Sequence, residues 1–172
     1  MKELILGGAR SGKSRYAERA ALATGKTPVY IATGWADDAE MAARIERHRA
    51  DRSDVWQLVE EPLHLAQALL AVDGPQRVLV VDCLTLWLSN CLHMGDWHTA
   101  RDRLLVVLPQ LAADVYLVSN EVGSGVVPLG PLPRHFVDES GWLHQALAEI
   151  CDRVTLVVAG LPLTLKSFGN NS

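Results

Sequence analysis

Residues 4–20 read LILGGARSGKSRYAERA, and this stretch decides the fold. Its centre, Gly7 to Ser14, fits the phosphate-loop pattern G-x-x-x-x-G-K-S at every fixed position. The preceding run Leu4–Leu6 predicts a strand and residues 15–20 favour a helix, which is the context that such a loop requires. Backbone N–H groups can then converge on phosphate oxygens, while Lys13 reaches the β- and γ-phosphates and Ser14 ligates Mg²⁺. The alternative is a glycine-rich turn without a ligand, but the complete pattern favours a nucleoside triphosphate site.

Composition limits the class of protein. The chain has 172 residues, enough for one domain that buries about 70% of its unfolded surface. Hydrophobic residues make up 49% and charged residues 21%, which is typical of a folded, water-soluble domain. The net charge of −4 argues against a general nucleic-acid binder, because such proteins carry a basic excess or stripe. We therefore expect no nucleic-acid partner.

Cysteine usage and the apolar runs favour the cytoplasm. Cys83, Cys91 and Cys151 are odd in number and form no C-x-x-C pair, so neither a disulfide framework nor a cysteine zinc site is indicated. The chain enters its first predicted strand within four residues, so we expect no signal peptide. The longest apolar stretch, Val78 to Leu88, contains Asp82 and is too short to cross a bilayer. We expect a cytoplasmic protein without stable membrane insertion.

Short apolar runs alternate with helical patterns along the chain. Near-continuous Val, Ile and Leu strands indicate burial on both faces, as in a mostly parallel sheet flanked by helices. The alternation predicts a single three-layer α/β domain over residues 1–166, followed by a disordered tail at 167–172. The predicted strands are Leu4–Leu6, Pro28–Ala32, Val78–Val81, Val115–Ser119 and Val154–Ala159, and the predicted helices are 13–24, 36–50, 62–72, 97–113 and 138–150.

Polar residues follow four of these strands. Ligands of open α/β sheets gather beyond the carboxyl ends of the strands. The phosphate loop follows the first strand, Thr33-Gly34-Trp35 the second, Asp82-Cys83 the third and Asn120-Glu121 the fourth. We therefore expect these groups to converge on one edge of the sheet.

Asp82 ends the apolar run Val78–Val81, which is the strand-plus-acid pattern of a Walker B element. A carboxylate here would hold Mg²⁺, directly or through water, opposite Ser14. The alternative is that Asp82 caps the following helix, since Asp is a good N-cap residue. Together with a phosphate loop, the pattern favours the metal role.

His48 lies in a predicted helix with acidic residues in its first turn and basic residues in its last. Met41 and Ile45 share its face, while Arg44 and Arg52 stand four residues to either side of it. Such a cationic flank favours neutral imidazole and attracts phosphate, and neutral imidazole is a competent nucleophile toward phosphorus. A helix histidine is more often structural or merely exposed, so the residues alone leave both interpretations open.

Gly123 to Pro133 is the most irregular segment, and it suits an active-site loop or a subunit contact. At its start, Glu121 could contact substrate, orient water or touch the metal; alternatively Asn120 and the glycines simply build a turn. Arg134 and Asp138 are four residues apart and could form an ordinary ion pair at a helix start.

Taken together, these motifs resemble one family along residues 2 to about 166: the bifunctional adenosylcobinamide kinase / adenosylcobinamide-phosphate guanylyltransferases of cobalamin synthesis. The phosphate loop alone is unspecific, but the ordered combination is highly specific. The matching stretches are GGARSGKSR (7–15), YIAT (30–33), EMAARI (40–45) with His48, Trp56, Glu60, DCLTLWLSN (82–90), NEVGSGVVP (120–128) and RHF (134–136).

The resemblance implies a RecA-like P-loop fold, a homotrimer and two reactions. A nucleoside triphosphate, ATP or GTP, phosphorylates adenosylcobinamide; GTP then donates GMP through an active-site histidine to adenosylcobinamide phosphate. The guanylylated position falls on His48, and Mg²⁺ is the implied cofactor. The nucleotide contacts fall on Gly7, Gly8, Ala9, Arg10, Ser11, Gly12, Lys13, Ser14, Thr33, Gly34, Trp35, Arg49, Arg52, Glu60 and Asp82. The corrinoid substrate is assigned to Asn120, Glu121 and Arg134.

Two positions depart from the family pattern. Val137 stands where an arginine is expected, and His144 where asparagine is often found. Both lie in the region assigned to corrinoid or subunit contact, so they bear on that site and not on the nucleotide chemistry.

Three other functions fit a phosphate loop. A monofunctional small-molecule kinase would transfer only the γ-phosphate. A GTP-dependent switch protein would need an Asn-Lys-x-Asp element, which the chain lacks, because Asn120 is followed by Glu121-Val122-Gly123. A RecA-like DNA motor is disfavoured by the acidic charge balance and the small size.

Overall fold

The computed structural model describes residues 1–35, 55–126 and 128–167. Seven strands form one sheet in the order β3-β2-β4-β5-β1-β6-β7. The strands are β1 (Lys2–Gly7), β2 (Thr27–Ala32), β3 (Gln57–Glu60), β4 (Arg77–Asp82), β5 (Asp114–Asn120), β6 (Arg153–Val158) and β7 (Leu161–Lys166). The helices are α1 (Lys13–Ala23), α2 (Leu65–Ala71), α3 (Leu84–Met94), α4 (Trp97–Val107) and α5 (Pro131–Ile150), with a 3₁₀ turn at Leu108–Gln110.

The first six strands are parallel and β7 runs antiparallel to β6. Parallel register brings the carboxyl ends of the central strands to one edge: Gly7 pairs with Asn120, and Ala32 pairs with both Asp82 and Glu60. The predicted convergence of polar groups at this edge is confirmed.

Two apolar cores lie on opposite faces of the sheet. On one face, Ala17 and Ala21 of α1 pack against side chains of β1, β2, β4 and β5. On the other, side chains of α2, α3, α4 and α5 form a larger core that includes fully buried Trp87. The three-layer α/β prediction is confirmed, because the central strands are covered on both sides.

Two lysine side chains, those of Lys2 and Lys166, each donate hydrogen bonds to several backbone carbonyls. Lys2 Nζ donates to the carbonyls of Leu111 and Ala113, both at 2.8 Å. Lys166 Nζ donates to three carbonyls at the end of α5, those of Ala148, Glu149 and Cys151. These cations satisfy backbone acceptors that a helix end or a connection would otherwise leave unpaired.

Some predicted boundaries were wrong. The last helix begins seven residues before the predicted position 138, at Pro131, because proline is tolerated in a first turn where N–H groups have no intrahelical partner. The helix predicted over 97–113 ends at Val107 and tightens into the 3₁₀ turn that contains Pro109. Predicted helix 62–72 spans only Leu65–Ala71. Predicted helix 36–50 and tail residues 168–172 lie outside the described residues.

Three elements were not predicted. Helix α3 was missed because its apolar residues lie on nearly every side, so the 3.6-residue period that marks a surface helix is weak. Strand β3 has only four residues. Strand β7 carries an alternating pattern, Leu161, Leu163 and Leu165, but its leucines are more than half exposed at the edge of the sheet. No helix in the described part of the chain is long and apolar enough to span a membrane.

Candidate active site at the carboxyl edge of the sheet

The phosphate loop joins β1 to α1 with the backbone that its glycines permit. Gly12 has φ +94°, a left-handed conformation that other residues rarely adopt. A Cβ at Gly7 would lie 2.5 Å from Ser11 Oγ and 2.6 Å from the Val157 carbonyl oxygen, so only glycine fits under the loop. A Cβ at Gly8 would meet nothing within 4 Å. The loop is thus closed toward the sheet and open on its outer side, where a phosphate would lie.

Lys13 begins α1, and its side chain is almost fully buried. Its Nζ donates to the Gly8 carbonyl oxygen at 3.1 Å. The ammonium group therefore lies against the phosphate loop and does not extend along the helix surface. The α1 N-terminus adds positive potential at the same place. Lys13 and the loop amides therefore form one electropositive cradle, the arrangement that binds di- and triphosphates.

Two neighbouring segments hold the loop by backbone hydrogen bonds. The Glu121 amide, just after β5, donates to the Gly7 carbonyl at 3.0 Å, and the Gly160 amide donates to the Ser11 carbonyl at 2.8 Å. Gly160 lies in the β6–β7 turn with φ +79°. The conformation of the cradle is thus set from both sides of β1.

Asp82 ends β4 on the face of the sheet that α1 covers. Tyr30 and Val80 belong to the core beneath α1, and Asp82 follows Val80 by two residues, so its side chain points the same way. Its Oδ2 accepts a hydrogen bond from the Tyr30 hydroxyl at 2.7 Å. The residue that caps α3 is Cys83, without a side-chain hydrogen bond, so the alternative role of Asp82 as a helix cap is wrong.

The residues predicted after β2 differ from one another in exposure. Thr33 is fully buried; its hydroxyl donates to the Cys83 carbonyl at 2.7 Å and accepts from the Cys83 amide at 2.9 Å. The Asn90 amide group donates to the Thr33 carbonyl at 2.8 Å. Thr33 therefore ties the ends of β2 and β4 together. Gly34 is also buried, whereas Trp35 is 40% exposed and presents a ring at the edge.

The predicted corrinoid residues follow β5 and start α5. Glu121 accepts hydrogen bonds from the amides of Gly123 and Ser124, so it builds its own turn. Burial raises the pKa of the Glu121 carboxyl, but hydrogen bonds from Ser124 and Gly123 and the nearby His144 outweigh this and hold the pKa below its ordinary value. Asn120 donates to the Thr85 hydroxyl at 2.9 Å.

Arg134 donates to the Pro128 carbonyl at 3.3 Å. The structure thus gives this side chain a contact with the preceding loop, and not the ion pair with Asp138 that the sequence left open as an alternative.

His144, a departure from the family pattern, lies behind this loop. One of its ring nitrogens, Nε2, is 2.7 Å from the Ser119 hydroxyl. Burial lowers the pKa of the imidazole to about 4, against a smaller opposing effect of the Glu121 carboxylate. The ring is therefore neutral at neutral pH.

Ser14 and Asp82 fit a magnesium site by donor chemistry. Both lie toward the α1 face at the carboxyl edge, and hydroxyl and carboxylate oxygens are the ligands that Mg²⁺ takes beside substrate phosphates. Residues 1–35, 55–126 and 128–167 contain no group of three or more His, Cys, Asp and Glu side chains that could cage a metal. Among these residues, Ser14 and Asp82 are the ones that we match to Mg²⁺ beside oxygens of the nucleotide.

Glu60 ends β3 beside Ala32 and is exposed at the same edge. His48, Arg49 and Arg52 lie outside the described residues. Sequence reasoning missed the supporting side chains Tyr30, Thr85 and Asn90. Tyr30 lies two residues before Ala32, the register partner of Asp82. This relation is visible only once the pairing of β2 with β4 is known.

The chain matches a known protein family along nearly its whole length. The family described as "Cobinamide kinase / cobinamide phosphate guanyltransferase" matches residues 3–165. The chain belongs to this family. It is 56% identical over 169 residues to the bifunctional adenosylcobalamin biosynthesis protein CobP of Pseudomonas aeruginosa, covering 96% of this chain and 98% of that protein. It is 40% identical over 182 residues to the bifunctional adenosylcobalamin biosynthesis protein CobU of Escherichia coli, covering 96% and 100%.

Solved structures resemble this member of the cobinamide kinase / guanyltransferase family in fold. The PH0250 protein of Pyrococcus horikoshii OT3 superposes with a TM-score of 0.56 at 8% identity, covering 98% of this chain and 87% of that one. The RadB recombinase gives 0.53 at 16% identity, covering 90% and 73%. At such identities the likeness shows the fold alone, a P-loop NTPase fold of the RecA type. The family match and the two bifunctional relatives show that the chain is an enzyme of a bifunctional kinase and guanylyltransferase family with nucleoside triphosphate substrates.

Proposed function

We propose that this enzyme phosphorylates adenosylcobinamide with ATP or GTP and then converts adenosylcobinamide phosphate and GTP into adenosylcobinamide-GDP and pyrophosphate. The observation that carries the proposal is the joining of a complete phosphate loop to Asp82 at one sheet edge, in a chain that matches the family over residues 3–165. The bifunctional names of the two relatives support both halves.

For the kinase half, we assign the loop Gly7–Ser14 to the triphosphate and Ser14 with Asp82 to Mg²⁺. Phosphoryl transfer needs positioning and charge neutralisation more than covalent chemistry from the protein. Lys13, already directed across the loop, would neutralise charge on the transferred phosphoryl group. The hydroxyl of the corrinoid side chain is the acceptor.

For the transferase half, we assign His48 as the nucleophile. A ring nitrogen attacks the α-phosphorus of GTP, the bond from that phosphorus to the bridging oxygen breaks, and pyrophosphate leaves. A phosphate oxygen of adenosylcobinamide phosphate then attacks the same phosphorus and displaces the imidazole. Covalent catalysis of this kind divides one difficult substitution into two. We assign the remaining nucleotide contacts to Thr33-Gly34-Trp35, Arg49, Arg52 and Glu60.

The corrinoid and subunit contacts are assigned to the region around α5. Asn120 ends β5, Glu121 begins the loop that leads into this helix, and Arg134 lies in the helix's first turn; Val126 and Leu129 of the loop are almost fully exposed. These exposed apolar side chains are available for contact with a ligand or a subunit. We propose a cytoplasmic homotrimer in which this loop meets the corrinoid substrate or a neighbouring subunit.

The test uses purified protein, Mg²⁺, adenosylcobinamide, ATP and GTP labelled at the α-phosphate. The proposal predicts that label moves into the corrinoid product while pyrophosphate is released, and that Lys13→Ala abolishes both steps because the triphosphate is no longer held. Label on ATP γ-phosphate that reaches the corrinoid, without any transfer from GTP, would show a monofunctional kinase instead.

A further inference from the structure

A tyrosine hydroxyl contacts the carboxylate that we assign to magnesium. Tyr30 Oη donates to Asp82 Oδ2 at 2.7 Å, and only 5% of the Tyr30 surface is exposed. Among the described residues, Tyr30 is the hydrogen-bond donor to the Asp82 carboxylate. The bond fixes the rotation of the carboxylate and leaves Oδ1 as the oxygen that we assign to the metal or its water.

Strand pairing explains why a tyrosine occupies this position. Ala32 is the register partner of Asp82, and Tyr30 precedes Ala32 by two residues on the same strand face. The distance to be bridged is therefore about two residues along a strand, roughly 7 Å. Among side chains that can pack in this apolar layer, tyrosine is long enough to reach and carries a donor at its tip.

Neighbouring groups hold both partners of this bond. The Trp56 ring packs edge-on against Tyr30, with centroids 6.0 Å apart and an interplanar angle of 87°. The Thr33 amide donates to the Asp82 backbone carbonyl at 3.2 Å, so the main chain of Asp82 is fixed as well. A carboxylate held at its backbone and at one oxygen has little freedom to reorient.

We propose that Tyr30 is a positioning residue for Asp82: its hydroxyl sets the carboxylate orientation that meets nucleotide-bound Mg²⁺. This inference rests on the proposed nucleotide chemistry. Groups that hydrogen-bond to metal-ligating carboxylates orient them, and loss of such a group typically lowers metal affinity or activity by about 10- to 100-fold. Tyr30 touches neither nucleotide nor metal in this account, so its effect is on metal-dependent binding.

The experiment compares Tyr30→Phe with Tyr16→Phe. Tyr16 Oη donates to the buried carboxylate of Glu3 at 3.1 Å, so its loss removes a bond of the same chemical type near the start of β1, away from Asp82. The Kd of a non-hydrolysable GTP analogue is measured by calorimetry with Mg²⁺ and with EDTA, and thermal unfolding is recorded for each variant. The Kd in EDTA divided by the Kd with Mg²⁺ gives a ratio that reports how strongly the metal contributes to binding.

We expect Tyr30→Phe to reduce this ratio by about tenfold with little change in the Kd in EDTA, and Tyr16→Phe to leave the ratio unchanged. An unchanged ratio in Tyr30→Phe, or an equal fall in both variants, overturns the inference. If Tyr30→Phe does not fold, Trp56→Leu, which loosens the ring and keeps the hydroxyl, must lower the ratio in the same direction. Wild-type protein that shows no metal effect at all contradicts the proposed function instead.

Discussion

At the scale of single residues, charge and burial decide what the carboxyl edge can do. Lys13 and Asp82 are opposite charges supplied by the start of α1 and the end of β4. Lys13 contacts the Gly8 carbonyl and Asp82 contacts the Tyr30 hydroxyl. Because these contacts exist in the protein alone, nucleotide binding would not have to organise the charges first, which is the benefit of preorganisation.

Asp82→Asn tests the metal assignment without removing the acceptor that Tyr30 needs. The variant keeps an oxygen for the Tyr30 hydroxyl and loses the negative charge, so the fold should be retained while Mg²⁺ is held poorly. We expect the kinase rate to fall by at least about 100-fold, in the range found when one charge-stabilising group is removed. The rate is measured over a series of Mg²⁺ concentrations. Near-normal activity would show that Asp82 is not a metal ligand.

His144 gives the fold a defined response to acid. Its pKa of about 4 lies below the ordinary value of 6.5, so the unfolded chain binds the extra proton first as the pH falls through this window. Stability is therefore retained above about pH 6.5 and lost toward pH 4. By linkage, the His144 contribution falls by about 2 kcal/mol between pH 7 and pH 5.

The matched variant is His144→Gln, which removes the titrating ring and places an amide at about the reach of the ring Nε2 that contacts Ser119. Urea unfolding at pH 7 and pH 5 should show a smaller loss of unfolding free energy in the variant than in the wild type. Parallel losses in the two proteins would mean that His144 is not buried as a neutral ring.

At the scale of elements, the β6–β7 turn supports the phosphate loop. Gly160 donates its amide to the Ser11 carbonyl at 2.8 Å, and a Cβ on Gly12 would approach Gly160 Cα to 3.2 Å. The turn therefore forms one wall of the loop. Strand β7, which follows, is anchored by Lys166 at the carboxyl end of α5. Movement of this hairpin would move the loop amides with it.

Gly160→Val tests the role of the turn, with Gly95→Val as control. Both glycines have positive φ, near +79° and +75°, and an added Cβ would meet open space at both. Backbone strain should thus lower stability by a similar amount, about 1–2 kcal/mol in each variant. We expect only Gly160→Val to weaken GTP binding, by about fivefold, the equivalent of one lost hydrogen bond of about 1 kcal/mol. Equal Kd values for the two variants would contradict a role for the turn.

Sequence patterns predicted elements better than supporting contacts. The phosphate loop and the apolar strands before Thr33, Asp82 and Asn120 carry local signals, so the sheet and its edge followed from them. The contacts of Tyr30 with Asp82 and of Gly160 with Ser11 join residues that are far apart in the sequence, so they depend on strand order. Helix α3 was missed for another reason, because burial on nearly every side removes the amphipathic period.

At the scale of the whole molecule, edge strand β7 presents an apolar surface to solvent in the single chain. Leu161, Leu163 and Leu165 alternate along edge strand β7 and are 72%, 58% and 57% exposed. Exposed apolar edge strands are templates for association, and natural proteins usually cover them. This surface supports the proposed homotrimer, since a second chain would bury it.

Light scattering of the purified protein should give the mass of three chains of 18.8 kDa. Leu163→Glu should lower that mass by placing a charge in the buried contact. Val106→Glu, at a residue 62% exposed on α4, should leave it unchanged. A monomeric wild type, or equal masses for both variants, would show that β7 is not the contact surface.

The proposed transferase reaction depends most on a covalent guanylyl group carried by His48. The direct measurement is mass spectrometry of the protein after incubation with GTP and Mg²⁺, followed by peptide mapping under conditions that preserve the acid-labile nitrogen–phosphorus bond. We expect one GMP per chain on the peptide that contains His48, which adenosylcobinamide phosphate removes and which is absent from His48→Ala. GMP on another residue, or an equally modified His48→Ala protein, would contradict it.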